Sequence, residues 1–394
     1  MSNQLYISAE EAAARLGVAL PTLYAYVGRK NIRSQKVPGS RKRRYWLPDV
    51  ERAAQRANRV ASGGLTSTTD ITLLTPEGPY FRGQSAIDLA DHATLEDVAA
   101  LLWEVEVGEA FEPRFAGAPN LWARLRDDLA GEMTTDTAIA MLPFLEHANP
   151  RAFDLTRLGM ARSGGEIMRW YAAILTGAQA ISAEPLHLQV AARFGRSADA
   201  ADLIRRLLVL SADHGFGAGT HAVRAVASTG VSPYRAVLAG LAIVTGRRSL
   251  FGRSDGISRL IAELIEAPDP RGIIIRRLHE GELIPGFQSP APYAGRDPRA
   301  LHLLAAYERV RGDEIGFRRV KAAIDLMSET FDAHPGFAFV NGLVARGLGF
   351  GRQHVLYVLG RCAGWTAHAI EQYEAGEIDG LQTTYLGALP PTSR

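Results

Sequence analysis

The fold of this chain is decided by the stretch Gly286-Phe287-Gln288-Ser289-Pro290 together with Asp297-Pro298-Arg299-Ala300, which follows it. Arginine is the best cationic partner for a carboxylate, because its planar guanidinium donates two parallel hydrogen bonds. Arg299 is therefore a candidate carboxylate ligand. The alternative is that Arg299 only caps the helix that follows.

Further motifs lie on both sides of this stretch. Tyr80-Phe81-Arg82-Gly83 and Leu210-Ser211-Ala212-Asp213-His214 precede it, and Gly360-Arg361 with Gly364-Trp365 follow it. In this order the motifs resemble the citrate synthase family, in which the first stretch has Gly-Phe-Gly-His before Asp-Pro-Arg-Ala. The resemblance spans most of residues 65–394. It implies an all-α, two-domain fold and a homodimer whose smaller domain closes over the substrates.

The resemblance also divides residues 65–394 into a large domain, about 65–235 and 330–394, and a small domain, about 236–330. The local patterns agree with a mainly α body. Residues 95–103 and 202–211 are apolar-periodic stretches typical of helices, and residues 66–80 predict short extended segments around Pro76 and Gly78. Residues 58–65 contain Ser62-Gly63-Gly64 and predict a linker.

The composition is that of a soluble globular protein: 394 residues, 47% hydrophobic and 22% charged. We expect no membrane span, because no apolar run reaches about 18 residues. Cys362 is the only cysteine, so no internal disulfide can form, and we expect a cytoplasmic protein. We predict no metal site and no covalently bound cofactor.

The charge is distributed unevenly. Residues 1–60 contain 12 Lys/Arg and 4 Asp/Glu, a net charge of +8, and the remainder holds 32 and 38, a net of −6. The basic segment 1–60, called the head below, is joined to an acidic remainder. This asymmetry predicts that the head binds a polyanion. The alternative is a solvated basic linker.

The head has the pattern of a helix-turn-helix. Ser8-Ala9-Glu10-Glu11 has the spacing of a capping box, so a helix should begin near Ala9. Gly17 should end it in a tight turn. Pro21 suits the first turn of a second helix, and Arg41-Lys42-Arg43-Arg44-Tyr45 predicts a basic β-wing.

The segment 7–50 resembles the winged helix of the MerR/excisionase type, so we predict a winged helix-turn-helix domain over residues 1–60. The resemblance implies that one helix enters the major groove of DNA and that the wing contacts phosphates. The alternative is an assembly module that does not bind DNA. The predicted DNA contacts are Thr22, Tyr24, Tyr26, Arg41, Lys42, Arg43 and Arg44.

Condensation of acetyl-CoA with a 2-oxo acid needs a carboxylate base and hydrogen-bond donors to the enolate and the ketone. The resemblance places the enolate-stabilising histidine at Ser249, the ketone-polarising histidine at Ser289 and the aspartate base at Ala338. All three catalytic positions are therefore lost. Asp332 is the nearest aspartate to position 338, with His334 close by, and Glu280 and Glu282 are candidate substitutes that no sequence feature places in the cleft.

Most of the family's carboxylate-binding positions retain their residue types. The resemblance places ligand-binding residues at His214, Arg299 and Arg361, whereas the arginine contributed across the family's dimer falls at Gly380 and is missing. Taken alone, His214 could equally be a core histidine that is satisfied by its neighbours.

Three functions follow as alternatives. The first is a catalytically impaired homologue that binds a di- or tricarboxylate and regulates through DNA. The second is a regulatory subunit that forms a heteromer with an intact citrate synthase. The third is an active synthase of the tricarboxylic acid cycle that condenses acetyl-CoA, or another acyl-CoA, with oxaloacetate.

Overall fold

The computed structural model describes residues 6–29, 32–37, 39–40, 42–47, 49–50, 53–54, 68–112, 120–129, 134–194, 197–246, 250–287, 292–293, 295–350 and 354–376. The chain divides into two compact units, a smaller one of Met1–Thr68 with Glu377–Arg394 and a larger one of Thr69–Gly376. The predicted linker at 58–65 lies outside the described residues.

The first helix of the smaller unit, α1 (Ala9–Leu16), begins and ends as its sequence predicts. The Ser8 hydroxyl accepts a hydrogen bond from the amide of Glu11, and the Glu11 carboxylate accepts one from the amide of Ser8. Gly17 ends the helix with a φ of 65°. This left-handed conformation is readily adopted by glycine, so the predicted turn is confirmed.

The rest of the smaller unit is a second helix and a small sheet. Helix α2 spans Leu20–Arg29, and β1 (Tyr6–Ile7), β2 (Ser34–Lys36) and β3 (Arg43–Trp46) pair antiparallel in the order β1-β3-β2. The predicted second helix and a strand in the basic segment are confirmed. The apolar side chains that these elements share form a core that includes Ala12, Leu16, Leu23, Ile32, Tyr45 and Val50.

The larger unit begins with a three-stranded antiparallel sheet, β4 (Thr72–Thr75), β5 (Gly78–Phe81) and β6 (Gln84–Ser85). This agrees with the extended segments predicted around Pro76 and Gly78. Helices follow.

The first half of this helical body is α3 (Ala86–His92), α4 (Leu95–Trp103), α5 (Val107–Ala110), α6 (Asn120–Leu129), α7 (Thr134–Ala148), α8 (Arg157–Thr176), α9 (Leu186–Phe194) and α10 (Ala198–Ser211). The second half is α11 (Ala218–Ala227), α12 (Pro233–Val244), α13 (Leu250–Glu266), α14 (Pro270–His279), α15 (Pro298–Arg311), α16 (Ile315–Phe331), α17 (Phe337–Gly347) and α18 (Val355–Ala375). The mainly α class is confirmed. The division into a large and a small domain stays a prediction.

Helix α18 is the centre of the larger unit. Most of its residues are buried, and it packs against α4, α8, α10, α11 and α12. A helix that is buried on nearly all sides must approach its neighbours closely. Gly364 permits this, because a Cβ there would lie 2.3 Å from the carbonyl oxygen of Ala212. The contact brings Arg361, one turn earlier on α18, to the end of α10.

Among the described residues, no helix combines the length and the apolar character that crossing a membrane requires.

Candidate functional site

The site is built around two buried arginine–aspartate pairs. The first joins α18 to the segment after α10. Arg361 Nη1 lies 2.5 Å from Asp213 Oδ1, and Arg361 Nη2 donates to the hydroxyl of Thr220 at 3.0 Å. Burial alone would raise the pKa of Asp213, but the charges of Arg361 and His368 outweigh it and hold that pKa far below its usual value. Asp213 is therefore a permanent anion.

The second pair lies at the start of α15. Asp297 caps this helix by accepting the amide of Arg299 at 3.0 Å, and its carboxylate also accepts from Arg299 Nε at 3.1 Å and Nη2 at 2.7 Å. Arg299 is 4% exposed. The side chain that caps the helix is therefore that of Asp297, and it holds the guanidinium of Arg299 in a fixed orientation.

Aromatic rings cover the guanidinium of Arg299. Its Cζ lies 4.5 Å from the ring centroid of Phe337 and 5.3 Å from that of Tyr293. The ring of Tyr357 lies 6.5 Å from that of Phe337. A cation against aromatic faces is stabilised, more so where water is excluded. The rings thus fix Arg299 and exclude water from it.

His214 joins the same cluster. Its Nε2 lies 3.0 Å from the hydroxyl of Tyr293. Burial, and then the charges of Arg299 and Arg361, lower the pKa of His214 well below its usual value. The imidazole is therefore neutral at physiological pH. The structure brings together the three residues predicted to bind a carboxylate, His214, Arg299 and Arg361.

The position predicted for the base lies beside this cluster. Ala338 is exposed in the first turn of α17, directly after Phe337, which covers Arg299. The amide of Gly336 donates to the carbonyl of Gly286 at 2.8 Å. The start of the 286–290 stretch therefore meets the start of α17. Ser289 and Ser249 lie outside the described residues, as does Gly380.

Two of the predicted substitute bases, Asp332 and Glu282, are held by neighbouring side chains. Asp332 is largely exposed and bonds Arg296 at 3.0 Å and His334 at 3.1 Å. These hydrogen bonds lower its pKa, which makes Asp332 a weaker base than an ordinary aspartate. Glu282 pairs with Arg277 at 3.2 Å. Glu280 is exposed at the end of α14.

A buried polar network leads from the cluster to the start of the larger unit. His368 Nε2 lies 3.4 Å from Asp213, and its Nδ1 lies 3.9 Å from Glu371. Glu371 pairs with Arg224 and accepts the amide of Asp70 at 2.8 Å. The aspartate of Arg361 is thus connected to the first residues of the larger unit.

The described part of the predicted DNA-binding set is exposed. Thr22 and Tyr24 lie at the surface of α2, with Tyr24 58% exposed, and Lys42, Arg43 and Arg44 are exposed at and beside β3. Arg41 and the side chain of Tyr26 lie outside the described residues. The five predicted contacts whose side chains the structure describes are therefore all accessible.

The residues that hold His214, Arg299 and Arg361 in place were not predicted from the sequence. Asp213 and Asp297 precede His214 and Arg299 in the motifs, so their position beside them was a usable signal. Tyr293 had none, because it lies 79 residues from its partner His214. Phe337 and Tyr357 were missed for the same reason.

The chain is similar in sequence to known proteins. Residues 61–379 match the family model described as citrate synthase, C-terminal domain. A 2-methylcitrate synthase of Shewanella oneidensis is 26% identical over 371 residues, which cover 87% of this chain and 98% of that protein. A putative citrate synthase 2 of Mycobacterium bovis is 30% identical over 195 residues, 46% of this chain and 50% of that protein.

The fold is shared with solved structures. The crystal structure of citrate synthase from Thermotoga maritima has a TM-score of 0.66 at 21% identity, covering 84% of this chain and 96% of that one. Citrate synthase from Thermoplasma acidophilum, in a ternary complex with carboxymethyl coenzyme A and oxaloacetate, has a TM-score of 0.66 at 19% identity, covering 85% and 98%. Because the family match spans 61–379, the chain belongs to the citrate synthase family.

Proposed function

We propose that the larger unit binds a small di- or tricarboxylate at His214, Arg299 and Arg361 and does not catalyse the citrate synthase condensation at an enzymatic rate. One observation carries the proposal. Two buried guanidiniums, each held by an aspartate, cluster with a neutral imidazole, whereas position 338, directly after the Phe337 that covers Arg299, has only a methyl group.

Binding is supported by the orientation of the cations. Each guanidinium is held by a buried aspartate, so little conformational entropy is lost when a carboxylate arrives. The hydrogen bonds to Asp297 use Nε and Nη2 of Arg299, which leaves Nη1 to donate to a ligand. A charge-assisted hydrogen bond of this kind is about twice as strong as a neutral one.

Loss of catalysis is supported by the missing base. A positioned general base contributes roughly 10²–10⁴ in rate, and a preorganised donor to an enolate about 10²–10³. Asp213 and Asp297 cannot replace it, because both are buried and bound to arginines. Asp332 is engaged by Arg296 and His334.

A second candidate is an active synthase that condenses acetyl-CoA or another acyl-CoA with oxaloacetate. The names of the relatives favour it: a 2-methylcitrate synthase aligns along nearly all of its length, and the Thermoplasma acidophilum enzyme was solved with a coenzyme A analogue and oxaloacetate. This candidate requires a base from a residue outside the family position.

Thiol release separates the two candidates. The purified full-length chain is incubated with oxaloacetate and either acetyl-CoA or propionyl-CoA, beside the Shewanella oneidensis enzyme. We expect no thiol release above the buffer blank. A rate within about a hundredfold of that enzyme would establish the active synthase, because loss of a base alone costs roughly 10²–10⁴.

Calorimetry tests the binding half of the proposal. We expect citrate or malate to bind the full chain and Arg361→Lys to weaken that binding, because lysine keeps the charge beside Asp213 but loses the planar fork. Arg271→Lys, at an exposed position of the larger unit, is the matched control and should bind as the unaltered chain does. Flat isotherms with all the acids would overturn ligand binding.

For the smaller unit we propose binding to DNA. The net charge of +8 over residues 1–60 supports it, as do the exposed side chains of Lys42, Arg43 and Arg44. Cations at a surface bind phosphates without sequence preference and with a steep salt dependence. Base contacts from Thr22 and Tyr24 would add sequence preference.

A charge-matched pair of variants tests this proposal. Lys42→Ala/Arg43→Ala/Arg44→Ala removes three exposed cations of the smaller unit, and Arg271→Ala/Arg309→Ala/Arg318→Ala removes three from the larger unit. We expect only the first variant to lower the DNA affinity of the full chain and to flatten its salt dependence. Equal effects of the two variants would overturn binding through this surface.

The homodimer and the heteromer with an intact citrate synthase stay predictions. Co-expression with an intact citrate synthase, followed by co-purification, tests the heteromer.

A further inference from the structure

One side chain of the protein contacts two of the three residues proposed to bind a carboxylate. The hydroxyl of Tyr293 lies 3.0 Å from His214 Nε2, and the centroid of its ring lies 5.3 Å from Arg299 Cζ. Tyr293 is 2% exposed and Arg299 is 4% exposed, so almost no water reaches this contact. Tyr293 thus takes up positions on His214 and Arg299 that a ligand would use.

Both contacts can be exchanged for those of a ligand. A phenol hydroxyl donates and accepts, so it forms the hydrogen bond with either tautomer of His214. The ring stabilises the guanidinium of Arg299 only through its aromatic face. Burial raises the pKa of Tyr293 to about 12, so the phenol carries no charge. A carboxylate is a stronger partner for a guanidinium than a neutral ring is, because its hydrogen bonds are charge-assisted.

The turn that carries Tyr293 is held from outside by a weak contact. The amide of Arg296 donates to the carbonyl of Tyr293 at 2.8 Å, and Gly295 in this turn has a φ of 92°. Arg296 Nη2 also bonds Asp332 at 3.0 Å, but 63% of the arginine side chain and 80% of the aspartate side chain are exposed. An exposed ion pair contributes little to stability, so this pair does little to keep the turn in place.

We propose, on the basis of the carboxylate binding proposed above, that Tyr293 is an internal competitor of the ligand. The free chain keeps its own site occupied, and a carboxylate binds when Tyr293 leaves His214 and Arg299. The measured affinity is then lower than that of the open site, in proportion to the fraction of molecules in which the site is open. Tyr293 thereby sets the ligand concentration at which the larger unit responds.

Calorimetry with citrate and malate tests this inference on the full chain. Tyr293→Phe keeps the ring and removes only the hydroxyl, so the free state loses its hydrogen bond to His214 and the ligand-bound state loses nothing. We expect this variant to bind the acids about two- to tenfold more tightly, the equilibrium factor of one net hydrogen bond. Tyr293→Ala also removes the ring and should bind more tightly still.

Tyr373→Phe is the matched control, because Tyr373 is 36% exposed near the end of α18. This variant should bind both acids as the unaltered chain does. Thermal unfolding checks that each variant is folded, and Tyr293→Phe keeps the test decisive if Tyr293→Ala does not fold.

A fluorine label shows whether the side chain leaves the site. The full chain is labelled with 3-fluorotyrosine, and the ¹⁹F resonances of Tyr293 and Tyr373 are assigned by their absence in the two phenylalanine variants. A soluble gadolinium chelate should broaden Tyr373 throughout and leave Tyr293 sharp in the free chain, since only Tyr293 is shielded from water. We expect saturating citrate to make the Tyr293 resonance sensitive to the chelate.

The outcomes separate this inference from the proposed function. If Tyr293→Phe binds the acids equally or more weakly, or if Tyr293 stays shielded in the ligand-bound chain, Tyr293 is not a competitor, and carboxylate binding still stands. If neither acid binds the unaltered chain, the proposed function itself is overturned, and the inference with it.

Discussion

Arg361 and Asp213 form an ion pair with an Nη1–Oδ1 distance of 2.5 Å, in which 5% of the arginine side chain and none of the aspartate side chain is exposed. The same guanidinium donates to Thr220, and the same carboxylate lies beside His368. Removing one partner of such a pair leaves an uncompensated charge in a place that water does not reach.

We therefore predict that Asp213→Asn lowers the free energy of unfolding by about 3–5 kcal/mol, measured by urea denaturation at neutral pH. Asp325→Asn is the control, because it breaks the partly exposed Lys321–Asp325 pair on α16. That control should cost at most about 1 kcal/mol. If the two variants lower the free energy of unfolding equally, the buried Asp213 pair contributes no more to stability than an exposed pair does.

Ala338→Asp should place a carboxylate at the position that the resemblance assigns to the base, without restoring the reaction. Ala338 is exposed in the first turn of α17, where the helix has no acidic residue. A carboxylate near a helix N-terminus is favourable by about 0.3–1 kcal/mol. We expect a slightly higher thermal midpoint and no thiol release. Substantial thiol release would show that the missing base alone prevents catalysis.

Gly364→Ala should destabilise the larger unit by about 1–3 kcal/mol or more, because the added methyl would lie 2.3 Å from the carbonyl oxygen of Ala212. The variant should also weaken citrate or malate binding, since the same contact places Arg361. Gly108→Ala is the control: no atom lies within 4 Å of the added methyl there, and alanine favours the helix. If Gly364→Ala leaves the stability of the larger unit unchanged, α18 approaches α10 less closely than described.

The stability of the larger unit should fall between pH 5 and pH 8 through Glu166. Burial raises the pKa of this carboxyl to about 7, although it accepts a hydrogen bond from Asn149 Nδ2 at 3.0 Å. A raised folded-state pKa means that the native state binds more protons than the unfolded state above about pH 4.3. Stability is therefore lost as pH rises toward the folded pKa.

Glu166→Gln removes that titration, and we expect it to stabilise the chain at pH 8 by roughly 1–3 kcal/mol relative to the unaltered chain. Urea denaturation at pH 5, 6, 7 and 8 measures the slope. Glu329→Gln, at an exposed position, should keep the slope of the unaltered chain. If Glu166→Gln keeps it as well, Glu166 ionises normally in the folded state.

The parts of this molecule that depend on local rules were predictable from the sequence. The start of α1 at Ser8 and its end at Gly17 are set by residues within one turn of each boundary, so a capping box and a glycine were sufficient. His214, Arg299 and Arg361 were found because each lies inside a motif of several residues.

What holds those three residues was not predictable. Asp213 and Arg361 are 148 positions apart, and His214 and Tyr293 are 79 apart. Contacts at such separations come from packing, which no local pattern records. The replacements at Ser249, Ser289 and Gly380 lie outside the described residues, so the loss of those functions stays a prediction.

The two buried aspartates have a consequence for how this chain can diverge. Asp213 and Asp297 each need a cation in order to stay buried, so a descendant that no longer used a carboxylate would still lose stability on losing Arg361 or Arg299. Selection for folding alone preserves these two anchors. Position 338 is exposed, so folding does not require a particular side chain there. In such a lineage the residue at position 338 can change without loss of stability, whereas Arg299 and Arg361 are retained because the fold depends on them.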